Sequence, residues 1–354
     1  MTHCNLKMAA VAALSLGAFV ALCAEAAPSG AVGQKAPVGP QVEFMANEMA
    51  SSFPRFRRMG AVSPSGETSP FVFRGKLYRM ELVTPTGGTD MSDGRIHCEI
   101  REAEGGRLVS SFAHARSYYP AAFVDGDTVR VTATKLERAA DGKVESGGCI
   151  MVYESKDLVE WKERVLFERP GFRFFNTTVA KGPQGYVLAM ETNTRPQCGV
   201  PFTMFFATSK DFVEWKAMDD STAFPKRWYC GGPFMVWSDG WYYLSLVAEL
   251  PCERYCQYLY RTRDFRKWET GRYNPLLLVS DDDRRISPNA HSLDSAMRGR
   301  IARAFVCSAS DLEMCDYEGK TYMTYEIGDQ KGFAYLVEAW YDGPMSKLLS
   351  DFFK

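Results

Sequence analysis

Ser155-Lys156-Asp157-Leu158-Val159-Glu160-Trp161, Ser209-Lys210-Asp211-Phe212-Val213-Glu214-Trp215 and Thr262-Arg263-Asp264-Phe265-Arg266-Lys267-Trp268 are one phrase written three times. The aspartates stand 54 and 53 residues apart, and a fixed period of that size marks a repeat architecture. Working outward, a second form recurs upstream: an apolar run, a Gly-bearing turn, a second apolar run. It occupies Ser69–Tyr78, Pro120–Val131, Asn176–Met190, Gly232–Leu246 and Asp311–Tyr325. Such pairs read as β-hairpins. Third strands follow at Cys149–Tyr153, Phe202–Ala207, Gln257–Arg261 and Phe333–Ala339, and the Ser/Thr-x-Asp turn then leads into a short fourth strand in three units. Five units of three to four antiparallel strands predict an all-β chain folded as a five-bladed β-propeller. A β-sandwich would not need the repeat, and a parallel β-helix would need a much shorter period.

The ends of the chain read differently. Lys7, the apolar run Met8–Cys23 and Ala24-Glu25-Ala26 have the form of a signal peptide over residues 1–26. Residues 27–41, rich in Pro, Gly and Ala, read as a linker, leaving 42–354 for one propeller domain. The expectation is an exported protein, periplasmic or extracellular, with no membrane association after signal cleavage. A formal net charge of −1 argues against nucleic acid as a partner. Eight cysteines remain after cleavage, and Cys252/Cys256 and Cys307/Cys315 are close enough in sequence to bridge. Buried free thiols are the equal alternative. Oligomeric state is not legible.

In a propeller the first strand of each blade lines the central channel, so residues at the starts of those strands converge. Counting eight back from the turn glycines gives Glu67, Tyr118, Gly232 and Asp311, with Asn176 in the corresponding region of the third unit. Glu67 and Asp311 fall in units that become neighbours when the ring closes. Glu81, Glu191 and Glu326 end the second strands of their hairpins. A carboxylate at the end of an apolar strand is either paired structurally or functional. Paired carboxylates are what glycoside hydrolysis uses.

The hairpin repeats and Ser-x-Asp-Leu-x-x-Trp turns resemble the five-bladed propeller glycoside hydrolases of family 43 and its relatives, families 32, 68 and 117. The resemblance covers the chain after about Gly60. It implies that the Asp157, Asp211 and Asp264 turns are structural. It also implies three catalytic carboxylates, at places where this chain has Ser69-Pro70, Asn176 and Gly231-Gly232-Pro233. None of the three is a carboxylate, so the acids are expected to have moved, to Glu67, Glu191 and Asp311. A histidine acid, as the resemblance to family 117 implies, has no matching motif around His97, His114 or His291.

Tyr118, Tyr119, Trp228 and Tyr229 precede first strands, where aromatic faces stack on sugars. Arg116 and Arg227 flank the same places and suit a carboxylate or sulfate, and Gln330 follows the last hairpin. Residues 280–304 interrupt the repeat as a lid or wall. Their run Asp281-Asp282-Asp283 reads as a solvated charge run or, failing that, a structural calcium site; no other cofactor is implied. Met345–Phe353 reads as a capping helix, and 42–62 as the source of a strand that closes the last blade. The function expected is an exported glycoside hydrolase acting on plant or algal oligo- or polysaccharides. The alternatives are a glycan-binding propeller without catalysis and a protein-binding propeller.

Overall fold

The computed structural model describes residues 55–84, 91–193, 200, 202–251 and 253–354. The proposed signal peptide, the linker, Cys198 and Cys252 lie outside them. Strands dominate the regular structure of the described chain. After β1 (Arg57–Ser63) come β2 (Thr68–Phe73), β3 (Lys76–Val83), β4 (His97–Glu102) and β5 (Leu108–Phe112), one four-stranded antiparallel sheet. A second holds β6 (Ser117–Asp125), β7 (Thr128–Arg138), β8 (Val144–Ser155) and β9 (Lys162–Glu168). A third holds β10 (Phe174–Gly182), β11 (Gly185–Thr192), β12 (Thr203–Ser209) and β13 (Lys216–Ala217). The remainder form an eight-stranded sheet made of two groups. One is β14 (Cys230–Ser238), β15 (Trp241–Leu250), β16 (Arg254–Thr262) and β17 (Trp268–Thr270). The other is β18 (Ser308–Tyr317), β19 (Lys320–Gly328) and β20 (Ala334–Tyr341), with β1 at its edge. One parallel bridge, Tyr255 to Ser308, joins them. The expected closing strand is present, since β1 pairs antiparallel with β20.

All five hairpins fall where the sequence places them, each with a two-residue turn. Arg74-Gly75, Asp239-Gly240 and Glu318-Gly319 have both residues at positive φ, the turn whose twist matches antiparallel strands. In the Ser/Thr-x-Asp turns, Ser155 Oγ accepts from the Leu158 amide at 2.9 Å while Asp157 Oδ1 accepts from Val159 and Glu160 at 2.8 and 2.9 Å. The same three bonds recur at Ser209-Asp211 and Thr262-Asp264. These bonds hold the aspartates below their usual range and explain the repeat as turn chemistry. Trp161 lies face-on to Phe112 and Trp268 face-on to Phe224, filling the space between neighbouring sheets.

Apolar clusters lie between successive strand groups: Phe112 and Val131, then Phe174 and Ile150, then Phe206 and Leu244. A further small cluster, Leu77, Ala103 and Tyr322, joins the last group to the first. Beside it the fully buried Arg79 donates to Glu81 at 2.9 Å and approaches Glu338 at 3.7 Å. The first strands β2, β6, β10, β14 and β18 all line one cavity of about 360 Å³, through Val72, Phe123, Val179, Val236 and Met314 among others.

Among the described residues there are two α-helices, α1 (Ser295–Arg303), inside the 280–304 interruption, and α2 (Met345–Asp351), close to the predicted capping helix. Other expectations need correction. Cys307 and Cys315 are free thiols. Cys307 precedes β18 and Cys315 lies within it, on the order of 25 Å apart along one extended strand and far beyond disulfide reach. Cys256 is also free. The Asp281-Asp282-Asp283 run is not uniformly solvated: Asp283 is fully buried, and its carboxylate accepts from Arg58 Nη1 at 2.7 Å and from the Tyr325 hydroxyl at 2.7 Å. That pairing leaves Asp283 committed to the protein itself.

Candidate active site

The ends of the first strands share a local irregularity. β6, β10, β14 and β18 each carry a bulge, at Tyr118/Ala121, Phe174/Thr177, Gly231/Phe234 and Ser310/Glu313. Tyr119, Gly232 and Asp311 inside those bulges have φ of 55°, 49° and 51°. Bulges re-aim side chains at sheet ends, and left-handed backbone at a bulky residue is costly enough to point to a use. β2 has no bulge, and Glu67 sits one residue before it.

Five carboxyls gather here. Glu67 and Glu326 line a cavity of about 280 Å³ together with Tyr118, Tyr119, Gln330 and Phe333. Glu67 also lines a narrow cleft of about 10 Å³ with Asn176, Asp311 and Glu313. Glu191 lies behind Asn176 and Gly232, almost fully buried; its Oε2 accepts from Asn176 Nδ2 at 3.1 Å and from the Gly232 amide at 3.0 Å. The other four keep partial exposure to the cavities. None of the five pairs with a lysine or arginine among the described residues.

Such a cluster cannot be fully ionised. Burial raises the Glu191 and Glu326 carboxyls to about 8, and the nearby charge of Asp311 adds to the effect. Glu67 is raised well above the usual carboxylate range, first by burial and then by Asp311, Glu326, Glu191 and Glu313. Burial also raises Asp311 and Glu313. The Tyr119 phenol is pushed up by burial and by the charges of Glu67, Glu191 and Asp311, and the Tyr229 phenol by burial and by Glu191 and Asp311, which places both rings against the cluster.

Glycines make the room. A Cβ on Gly66 would lie 1.9 Å from Glu326 Oε2, one on Gly231 3.2 Å from Glu191 Oε2, and one on Gly232 2.5 Å from Asp311 Oδ1. Gly231-Gly232 is the place where the sequence resemblance implies an acid. Carboxyls from neighbouring strands now fill that space.

Glu67, Glu191 and Asp311 are thus brought together, with Asn176, Tyr118 and Tyr229 beside them and Gln330 at the rim. Two predicted ligands are elsewhere. Arg116 is largely exposed and pairs with Glu163. Trp228 stands on the surface, edge-on to Phe224. Glu81 belongs to the buried network of Arg79 and His291, which holds its carboxyl down at about 2 despite its burial. Glu313 is the acid that the sequence reading missed; the β18 bulge at Ser310/Glu313 breaks the regular alternation there and leaves Asp311 and Glu313 lining the same cleft. Glu326 was recognised as a strand-ending acid but not among the leading three.

The chain matches no protein-family model and no curated protein. Among solved structures its fold is similar to that of propeller glycoside hydrolases. A thermostable family 43 glycoside hydrolase shares 13% identity at a TM-score of 0.54, covering 79% of this chain and 91% of that one. The α-L-arabinofuranosidase of Podospora anserina, in complex with cellotriose, shares 9% at 0.54, covering 83% and 98%. The family 32 β-fructofuranosidase of Bombyx mori shares 12% at 0.52; the match covers 84% of this chain and spans 65% of the fructofuranosidase. These are likenesses of fold.

Proposed function

We propose that this chain is a five-bladed β-propeller glycoside hydrolase that acts on plant or algal oligo- or polysaccharides and is exported by residues 1–26. Five hairpins, five inner strands around one cavity and the contacts between the last group and the first support the ring. The observation that carries the chemistry is the pair Glu67 and Glu326, two carboxyls in one aromatic-walled cavity without a cation.

Close carboxyls share a proton, and the pair titrates as a unit. With one proton on the pair, one member is a neutral acid and the other a carboxylate. These are the two forms that cleavage of a glycosidic bond requires. The neutral member protonates the leaving oxygen. The charged member activates water at the anomeric carbon or attacks that carbon itself. The proton that water gives up returns to the pair, so the site is restored. Asp311, Glu313 and Glu191 keep that proton on the pair by adding negative potential around it. Tyr118, Tyr119 and Phe333 offer ring surface to the sugar.

A second reading, glycan binding without cleavage, is favoured by the absence of carboxylates at Ser69, Asn176 and Gly231. A panel of aryl glycosides, arabinan, xylan and fructan separates the two. Hydrolysis is expected, with Glu67→Gln and Glu326→Gln each lowering kcat/KM by about 100-fold or more. Binding without any product would establish the second reading instead.

A further inference from the structure

Six aromatic rings form an unbroken edge-to-face series at the end of the molecule that holds the carboxyls. Tyr118 meets Tyr119 at 4.7 Å, Tyr119 meets Phe175 at 5.6 Å, Phe175 meets Phe202 at 4.9 Å, Phe202 meets Tyr229 at 5.5 Å, and Tyr229 meets Tyr255 at 5.7 Å. The series starts in the wall of the Glu67–Glu326 cavity and crosses the ends of the second, third and fourth strand groups.

Three observations separate it from ordinary packing. Tyr119 and Phe202 are held at φ of 55° and 60°, backbone that bulky residues rarely adopt, and both sit in the middle of the series. The hydroxyls of Tyr118, Tyr119, Tyr229 and Tyr255 have no hydrogen-bond partner among the described residues, while those of Tyr153, Tyr186, Tyr322 and Tyr325 each have at least one. On the opposite side of the cavity, between the last and first groups, Arg79, Glu81, His291 and Glu338 are tied to one another in a closed polar network. Open phenols on ring surface suit a ligand with alternating C–H faces and hydroxyls.

We infer that this arc seats the rest of a glycan chain. Sugar units beyond the one at the carboxyl pair lie along the partly exposed Phe202, Tyr229 and Tyr255, with Phe175 buried beneath them, so chain length is a determinant of specificity. The inference rests on the hydrolase reading for the position of the cleaved unit, but its binding claim can be tested separately.

The experiment compares kcat/KM for an aryl glycoside with that for oligosaccharides of two to five units of the same sugar. It uses the wild type, Phe202→Ala, Tyr255→Ala and Tyr255→Phe, and adds affinity electrophoresis in gels containing the polysaccharide. The ratio of long-chain to aryl-glycoside kcat/KM should fall on the order of 10-fold in both alanine variants, through KM. Tyr255→Phe, which keeps the ring, should retain most of the ratio. No dependence on length in the wild type, or an equal fall on both substrates, overturns the inference. If nothing is hydrolysed, the hydrolase reading fails on its own and the gels decide the arc. Retardation of the wild type that is lost in Tyr255→Ala supports it, and equal migration overturns it.

Discussion

Replacing Gly66 by alanine adds a single methyl group to the cavity and tests whether Glu326 must stand where it does. The new Cβ would fall 1.9 Å from Glu326 Oε2. Ordinary van der Waals contact begins near 3.4 Å, so the carboxyl has to retreat by about 1.5 Å. It can do so, because the obstructing atom is the far end of a flexible side chain. Gly66 also lacks the positive φ that would penalise a side chain. The fold should therefore tolerate alanine, with about 0.4–1 kcal/mol gained from the stiffer unfolded chain. Activity should not tolerate it. A catalytic group displaced by about 1 Å costs on the order of 100-fold, or about 2.7 kcal/mol of barrier. Gly75→Ala is the matched control. Nothing lies within 4 Å of its Cβ, but φ is +74°, so it should lose about 1–2 kcal/mol of stability and keep its kcat/KM. Both variants are assayed for kcat/KM at pH 6 and for Tm. Full activity in Gly66→Ala, or an activity loss matched by a fall in Tm, would refute the placement of Glu326 as a working acid.

Stability should depend on pH with a defined sign. Glu191 and Glu326 have folded values near 8 against an ordinary 4.5. Their protonated forms therefore favour the fold fully below about 4.5, and that contribution is lost as pH rises through 8. Tm should fall between pH 5 and 8.5 by an amount reflecting several kcal/mol, and Glu191→Gln should raise Tm at pH 8 more than at pH 5. Glu81 works the other way. Its value near 2 contributes stability above about 4.5 that is lost as pH falls toward 2, so Tm should peak near pH 5. Arg79→Ala leaves Glu81 and Glu338 buried without their cation and should cost about 3–5 kcal/mol, a drop of about 5–8 °C in Tm measured by calorimetry.

What was legible in the sequence followed from local chemistry. The hairpins announced themselves because their turns need glycine at positive φ. The Ser/Thr-x-Asp turns did so because the same side chains must satisfy the same amides each time. The first strand group lacks that turn, and β4 and β5 were accordingly not read as strands. The acids were legible as a set, since Glu67, Glu191, Asp311 and Glu326 all end or begin apolar strands. Their grouping was not. It depends on Gly66, Gly231 and Gly232 opening space to carboxyls from strands far away in sequence, and a glycine in sequence does not say which side chain fills its place. Arg116 and Trp228 were chosen for nearness to first strands. Glu163 draws the one outward, and Phe224 holds the other on the surface. Asp283 looked like one of a solvated run because its partners, Arg58 and Tyr325, come from distant strands.

The pH profile of kcat/KM on the best glycan substrate bears most directly on the shared proton. A bell is predicted: the acid limb marks the second protonation of the Glu67–Glu326 pair, and the alkaline limb, displaced above the ordinary carboxylate range, marks the loss of its last proton. Glu326→Gln should abolish that alkaline limb along with most of the rate. No turnover at any pH, or an alkaline limb unchanged in Glu326→Gln, would contradict the assignment of this pair as the acid and base.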